Sequence, residues 1–157
     1  MKIGDLMDRD LTALAEEDTV EDAIEILLHH RMTGLPVTDE EGRVIGFVSE
    51  EDIIKAALPA YISNLSSSAF LPDYGQFSRR LARIAHKPVS EVMQRHCVTF
   101  DVGETDFVVA SEMIGKHIKI APVLKDGVME GYISRTYLLK RMMRTSSDGD
   151  AEPRKDR

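Results

Sequence analysis

The chain has 157 residues, 43% of them hydrophobic, a formal net charge of −7 at pH 7 and a single cysteine, Cys97. That length suffices for one compact domain or for two half-domains sharing a core, and a lone thiol excludes an internal disulfide and suits a reducing cytoplasm. No apolar run reaches the roughly 18–20 residues of a membrane span, Met1-Lys2-Ile3-Gly4-Asp5 lacks a signal-peptide hydrophobic region, and the acidic balance argues against nucleic acid as the main partner.

The first predicted elements are a short lead-in over Ile3 to Met7 and an extended piece over Leu11 to Leu14. A helix follows, because Val20, Ala23, Ile24, Leu27 and Leu28 fall on one apolar stripe at helical spacing. Asp18 or Thr19 caps it, and Glu21 and Asp22 suit the positive end of its dipole. Two strands, Leu35 to Val37 and Val44 to Val48, flank the turn Asp39-Glu40-Glu41-Gly42, and a second helix starts at Ser49 with Ile53 and Ile54 as its first apolar positions. Residues 58–87 form an insert broken by Pro59, Ser66-Ser67-Ser68 and Pro72; its second half, Gln76 to His86, reads as an amphipathic helix.

The chain then repeats itself. Met93, Thr105, Pro122-Val123, Gly127, Gly131, Ser134 and Lys140 answer Met7, Thr19, Pro36-Val37, Gly42, Gly46, Ser49 and Lys55 at an offset of about 86 residues, shrinking by one after a shortened turn. The second copy has a lead-in at Val89 to Met93, an extended piece at Cys97 to Phe100 and a helix with Asp106, Val109, Ala110, Met113 and Ile114 on its stripe. Strands over Ala121 to Leu124 and Met129 to Ile133 flank Lys125-Asp126-Gly127, a hairpin signal, and a last helix starts at Ser134. Strand, helix, strand, strand, helix, twice over, predicts an α/β or α+β sandwich of two three-stranded sheets with helices outside. The expected divisions are 1–57 for the first repeat, 58–87 for the insert, 88–144 for the second repeat and 145–157 for a polar, aperiodic tail expected to be mobile.

The sharpest chemical signal is Gly46-Phe47-Val48-Ser49-Glu50-Glu51-Asp52, a strand running into a helix whose first turn holds a hydroxyl and a carboxylate. Free N–H groups at a helix start attract phosphate, and a carboxylate can accept both hydrogen bonds of a ribose diol. The same Ser-x-x-Asp is also a capping box, a reading compatible with the first.

Thr19-Val20-Glu21-Asp22-Ala23, Arg31 to Val37, Gly42 to Gly46, Val48 to Asp52 and, in the second copy, Ile118 to Val123, Gly127 and Gly131 to Ser134 resemble a tandem pair of cystathionine β-synthase (CBS) domains, the Bateman module. The resemblance extends to small stand-alone bacterial members. It implies two pseudo-twofold-related β-α-β-β-α repeats and an adenosine-containing ligand: AMP, ADP, ATP, S-adenosylmethionine or NADH. Carried over, one adenosyl site combines Ser49 and Asp52 with Val98, Thr99, Ile118, Lys119 and Ile120. Its mate combines Ser134 with Thr12, Ala13, Met32, Thr33 and Gly34. That mate has Tyr137 where the first has Asp52, and Thr33-Gly34 where the first has Lys119, so it is expected to be weak or empty. The resemblance also implies a homodimer built from paired helices and a regulatory or sensor role exerted on an effector protein that the sequence does not name. The rival readings are a ligand-independent dimerisation scaffold and an enzyme.

No pair among His29, His30, His86, His96 and His117 has the i, i+4 spacing of a helical zinc motif, so neither metal nor cofactor is expected. Catalysis is not expected either. Cys97 has only His96 nearby as a base, and no Walker-type glycine loop is present. Arg79, Arg80, Arg83, His86 and Lys87 form a basic cluster that reads as a solvated helix face or a contact with acidic protein surface.

Overall fold

Both copies open their first long helix on a threonine. In the computed structural model, which describes residues 1–59 and 75–149, α1 (Ile3–Leu6) is a single turn and α2 (Val20–His30) starts from Thr19. The Thr19 side chain accepts from the Asp22 N–H while the Asp22 carboxylate accepts from the Thr19 N–H, a closed capping box. β1 (Gly34–Thr38) and β2 (Val44–Ser49) pair antiparallel and deliver the chain to α3 (Glu50–Ala57). The insert contributes α4 (Gln76–Ile84), slightly shorter than the periodicity predicts; Ser66-Ser67-Ser68 and Pro72 lie outside the described residues.

After a 3-10 turn at Val89–Glu91 come β3 (Phe100–Asp101), α5 (Asp106–Gly115), β4 (Ile120–Lys125), β5 (Val128–Ser134) and α6 (Arg135–Gly149). Thr105 caps α5 as Thr19 caps α2. β3 runs parallel to β4, and β4 pairs antiparallel with β5 across a tight turn in which Asp126 and Gly127 both take positive φ, as the Asp-Gly signal requires. Both hairpins shift register at equivalent places, between Val37 and Thr38 and between Val123 and Leu124.

Two expectations change. The first copy's leading strand shrinks to one bridge, Leu14 with Val37, so among the described residues its sheet has two strands and not three. The final helix also continues past Thr145, where the sequence places the start of the tail. The Thr145, Ser146 and Ser147 hydroxyls donate to the carbonyls of Arg141, Met142 and Met143, absorbing polar groups that would otherwise compete with the helix.

The chain divides into two compact units that cut across the sequence repeats. One contains Met1–Leu11 and the described residues from Val98 on; the other is Thr12–Cys97. Each lead-in thus folds against the other repeat. In the first unit the Ile3 N–H donates to the Glu104 carbonyl, and Lys2 bridges Thr105. In the second, the equivalent Val89 N–H donates to the Asp18 carbonyl, and Pro88 bridges Thr19.

The cores follow the same division. Ile3, Leu6 and Met7 are buried with Phe100, Val109, Met113, Val123 and Ile133, while Val89 and Met93 are buried with Leu14, Val20, Leu35, Val37 and Val48. The outer edge of each predicted stripe faces outward: Leu28 is 78% exposed and Ile114 65%.

Candidate functional site

Ser49 leaves β2 in extended conformation (φ −106°, ψ 162°) and becomes the N-cap of α3. Its Oγ accepts from the Asp52 N–H at 3.2 Å, and Asp52 Oδ2 accepts from the Ser49 N–H at 2.9 Å and from the Ser49 hydroxyl at 2.8 Å. The capping reading of this tetrapeptide is therefore realised, and Asp52 stays half-buried at the open end of the helix, its carboxylate among N–H groups at the positive end of the dipole.

Sequence reasoning missed the other partner. Gln94, 42 residues further along, donates from Nε2 to Asp52 Oδ1 at 2.8 Å. Its backbone is clamped to β2: the Phe47 N–H donates to the Gln94 carbonyl at 2.9 Å and the Gln94 N–H to the Phe47 carbonyl at 2.8 Å. Gly46 makes this approach possible, since a Cβ there would lie 2.5 Å from Met93 Sδ and 3.0 Å from the Gln94 carbonyl oxygen. The paired glycines Gly46 and Gly131 were the available signal, because a glycine within a strand marks close approach of another backbone.

Of the other residues assigned to sites, Thr12, Ala13, Met32, Thr33 and Gly34 share a unit with Ser49 and Asp52. Gly34 stands opposite Ser49 in the sheet, and the Thr33 carbonyl accepts from the Glu50 N–H at 3.0 Å. The Phe47 ring lies where a side chain at Gly34 would project. Val98, Thr99, Ile118, Lys119 and Ile120 belong to the other unit, with Ser134 and Tyr137. There Ile120 stands opposite Ser134, Val98 and Ile118 pack on the core, and Lys119 is exposed.

The second helix start has a different chemistry. The Ser134 hydroxyl oxygen accepts from the Tyr137 N–H at 3.1 Å, but the Tyr137 ring packs against the apolar cluster and no carboxylate reaches back to the cap. Arg135 adds a contact without warning in the sequence: Nε donates to the Ile118 carbonyl at 2.7 Å and Nη2 to the Met113 carbonyl at 3.1 Å. These bonds tie the end of α5 to the start of α6. The equivalent residue in the first copy is the acid Glu50, which has no such donor.

Burial pushes the Cys97 thiol up to about 12, so it is protonated at neutral pH and a poor nucleophile. Among the described residues no three His, Cys, Asp or Glu side chains gather as a metal would need, and no helix is long and apolar enough to cross a membrane.

A family model described as "CBS domain" matches residues 3–59 and 89–144. The chain is similar to the chloroplastic CBS domain-containing protein CBSX1 of Arabidopsis thaliana, with 24% identity over 94% of this chain and 66% of the relative. It spans 56% of a Methanocaldococcus jannaschii relative, MJ1004, so the first curated relatives it matches are longer. Among solved structures, the CBS-pair protein CBSX2 of Arabidopsis thaliana superposes with a TM-score of 0.75 at 19% identity, covering 93% of this chain and 96% of that one. CBSX2 in complex with AMP gives 0.71 at 20% identity, covering 92% and 98%. Two matched segments, each with a threonine-capped helix, a register-shifted hairpin and an exchanged lead-in, make this chain a member of the CBS domain family that carries two CBS repeats.

Proposed function

We propose that the protein is a regulatory module that binds an adenosine-containing ligand through Asp52, without turnover. The observation that carries this reading is the half-buried Asp52 carboxylate at the start of α3, whose acceptor oxygens suit the two hydroxyls of a ribose. The AMP bound to CBSX2, a protein of the same fold, supports the ligand class. A sensor works near cellular ligand levels, so dissociation constants of μM to mM are expected, about −8 to −4 kcal/mol. Calorimetric titration with AMP, ADP, ATP, S-adenosylmethionine and NADH tests this on the native chain and on Asp52→Asn. Asp52→Asn is expected to weaken binding far more than it lowers Tm; unchanged affinity with a lowered Tm defeats the reading. Turnover of ATP or S-adenosylmethionine would show an enzyme instead.

A dimerisation scaffold is the second reading, favoured by the closed capping box, which accounts for Ser49 and Asp52 on structural grounds alone. In both readings a second copy of the chain covers the exposed helix faces. Leu28 and Ile54 on α2 and α3 border an open groove of about 420 Å³, and their counterparts Ile114 and Leu139 on α5 and α6 are 65% and 66% exposed. Leu28→Glu with Ile114→Glu is expected to shift sedimentation from dimer to monomer.

A further inference from the structure

We propose that Gln94 is a positioning residue for ligand recognition at Asp52, a role that rests on the nucleotide-binding reading above. A carboxylate only accepts hydrogen bonds, so the Gln94 amide must present its NH2 to Asp52 Oδ1. A carboxylate offers about four acceptor positions. Three are occupied here: two on Oδ2 by the Ser49 N–H and hydroxyl, and one on Oδ1 by Gln94. A vicinal diol needs one position on each oxygen, so one bond must give way.

The three donors differ in freedom. The Ser49 N–H is fixed by the cap of α3, and Gln94 is anchored by two backbone hydrogen bonds to Phe47. The Ser49 hydroxyl is a single rotor. A ribose therefore enters by turning that hydroxyl aside, while Gln94 stays and holds the carboxylate plane. Held this way, each carboxylate oxygen presents one acceptor to one ribose hydroxyl.

The other repeat loses the amide and the carboxylate together. At the offset of about 86 residues, Gln94 corresponds to Asp8 and Asp52 to Tyr137. The backbone device is kept, since the Asp8 N–H donates to the Tyr132 carbonyl at 2.8 Å and the Tyr132 N–H to the Asp8 carbonyl at 2.7 Å. Only the side-chain pair is gone.

The test compares AMP with 2′-deoxy-AMP on the native chain, Gln94→Ala, Gln94→Met and Asp52→Asn, by calorimetry. Gln94→Met keeps the aliphatic stem and removes the donor. Both Gln94 variants are expected to bind AMP about tenfold more weakly, the scale of a lost hydrogen bond to a charged group. They should lose less affinity for 2′-deoxy-AMP, which offers Asp52 one hydroxyl and not two, so that discrimination between the two sugars narrows. Native AMP affinity in both variants, or tighter binding, overturns the role of Gln94 while loss of binding in Asp52→Asn leaves the nucleotide reading standing. Native affinity in Asp52→Asn as well, or no binding of AMP, ADP, ATP, S-adenosylmethionine or NADH to any form, overturns both.

Discussion

The two helix starts at Ser49 and Ser134 share one backbone and differ in chemistry. Both follow a bulged hairpin, both begin with a serine whose hydroxyl oxygen accepts from the N–H three residues on, and both lie beside a lead-in bridged to the preceding strand. At the first, Asp52 closes the capping box and takes the Gln94 amide; at the second, the half-buried Tyr137 packs against the apolar cluster and Arg135 ties down two carbonyls. The two copies thus share the backbone support and differ in the side chains that it carries. Only one of the two copies keeps a carboxylate at the helix start.

The strongest way to break the shared support is at its glycines. Gly131→Ala drives a Cβ into the Asp8 backbone carbonyl, which cannot move without breaking its pair with Tyr132. It should cost about 3 kcal/mol in urea denaturation. Gly46→Ala meets first the flexible end of Met93 and should cost about 1–2 kcal/mol; equal losses would show that the two bridges bear alike on stability. Tyr137→Asp sharpens the chemical contrast by restoring a carboxylate beside Ser134. It should lower stability by about 1–2 kcal/mol through lost packing and add a second, weaker AMP-binding event in calorimetry.

Caps give smaller effects. Thr19→Ala and Ser49→Ala should each cost about 1 kcal/mol, with only Ser49→Ala altering AMP affinity. The smallest effect is in acid. The Thr19 N–H and hydroxyl hold the Asp22 carboxyl below its ordinary value of 3.8. A depressed folded value means that the unfolded chain binds the proton first. The stabilisation is therefore present above about 3.8 and lost as pH falls through the lower folded value. Asp22→Ala should flatten that part of the acid unfolding profile, measured by circular dichroism, and leave the neutral region nearly level.

Much of this was legible in the residues because it depends on near neighbours in the chain. Thr19 and Ser49 cap helices since their hydroxyls reach N–H groups three residues away, and Asp126-Gly127 turns a hairpin since both tolerate positive φ. The offset between copies was visible because such local rules repeat. Gln94 was not visible, because its meeting with Asp52, 42 residues away, depends on the backbone bridge between Phe47 and Gln94.

By itself the sequence determined the elements, their caps, their order and the duplication, all of which follow from short-range periodicity and hydrogen bonding. Tertiary structure alone decided which lead-in serves which repeat. Ile3, Leu6 and Met7 offer nearly the same apolar shape as Val89, Val92 and Met93, so either set could fill either core by composition. Folding chose the exchanged arrangement, and that choice puts Gln94 beside Asp52.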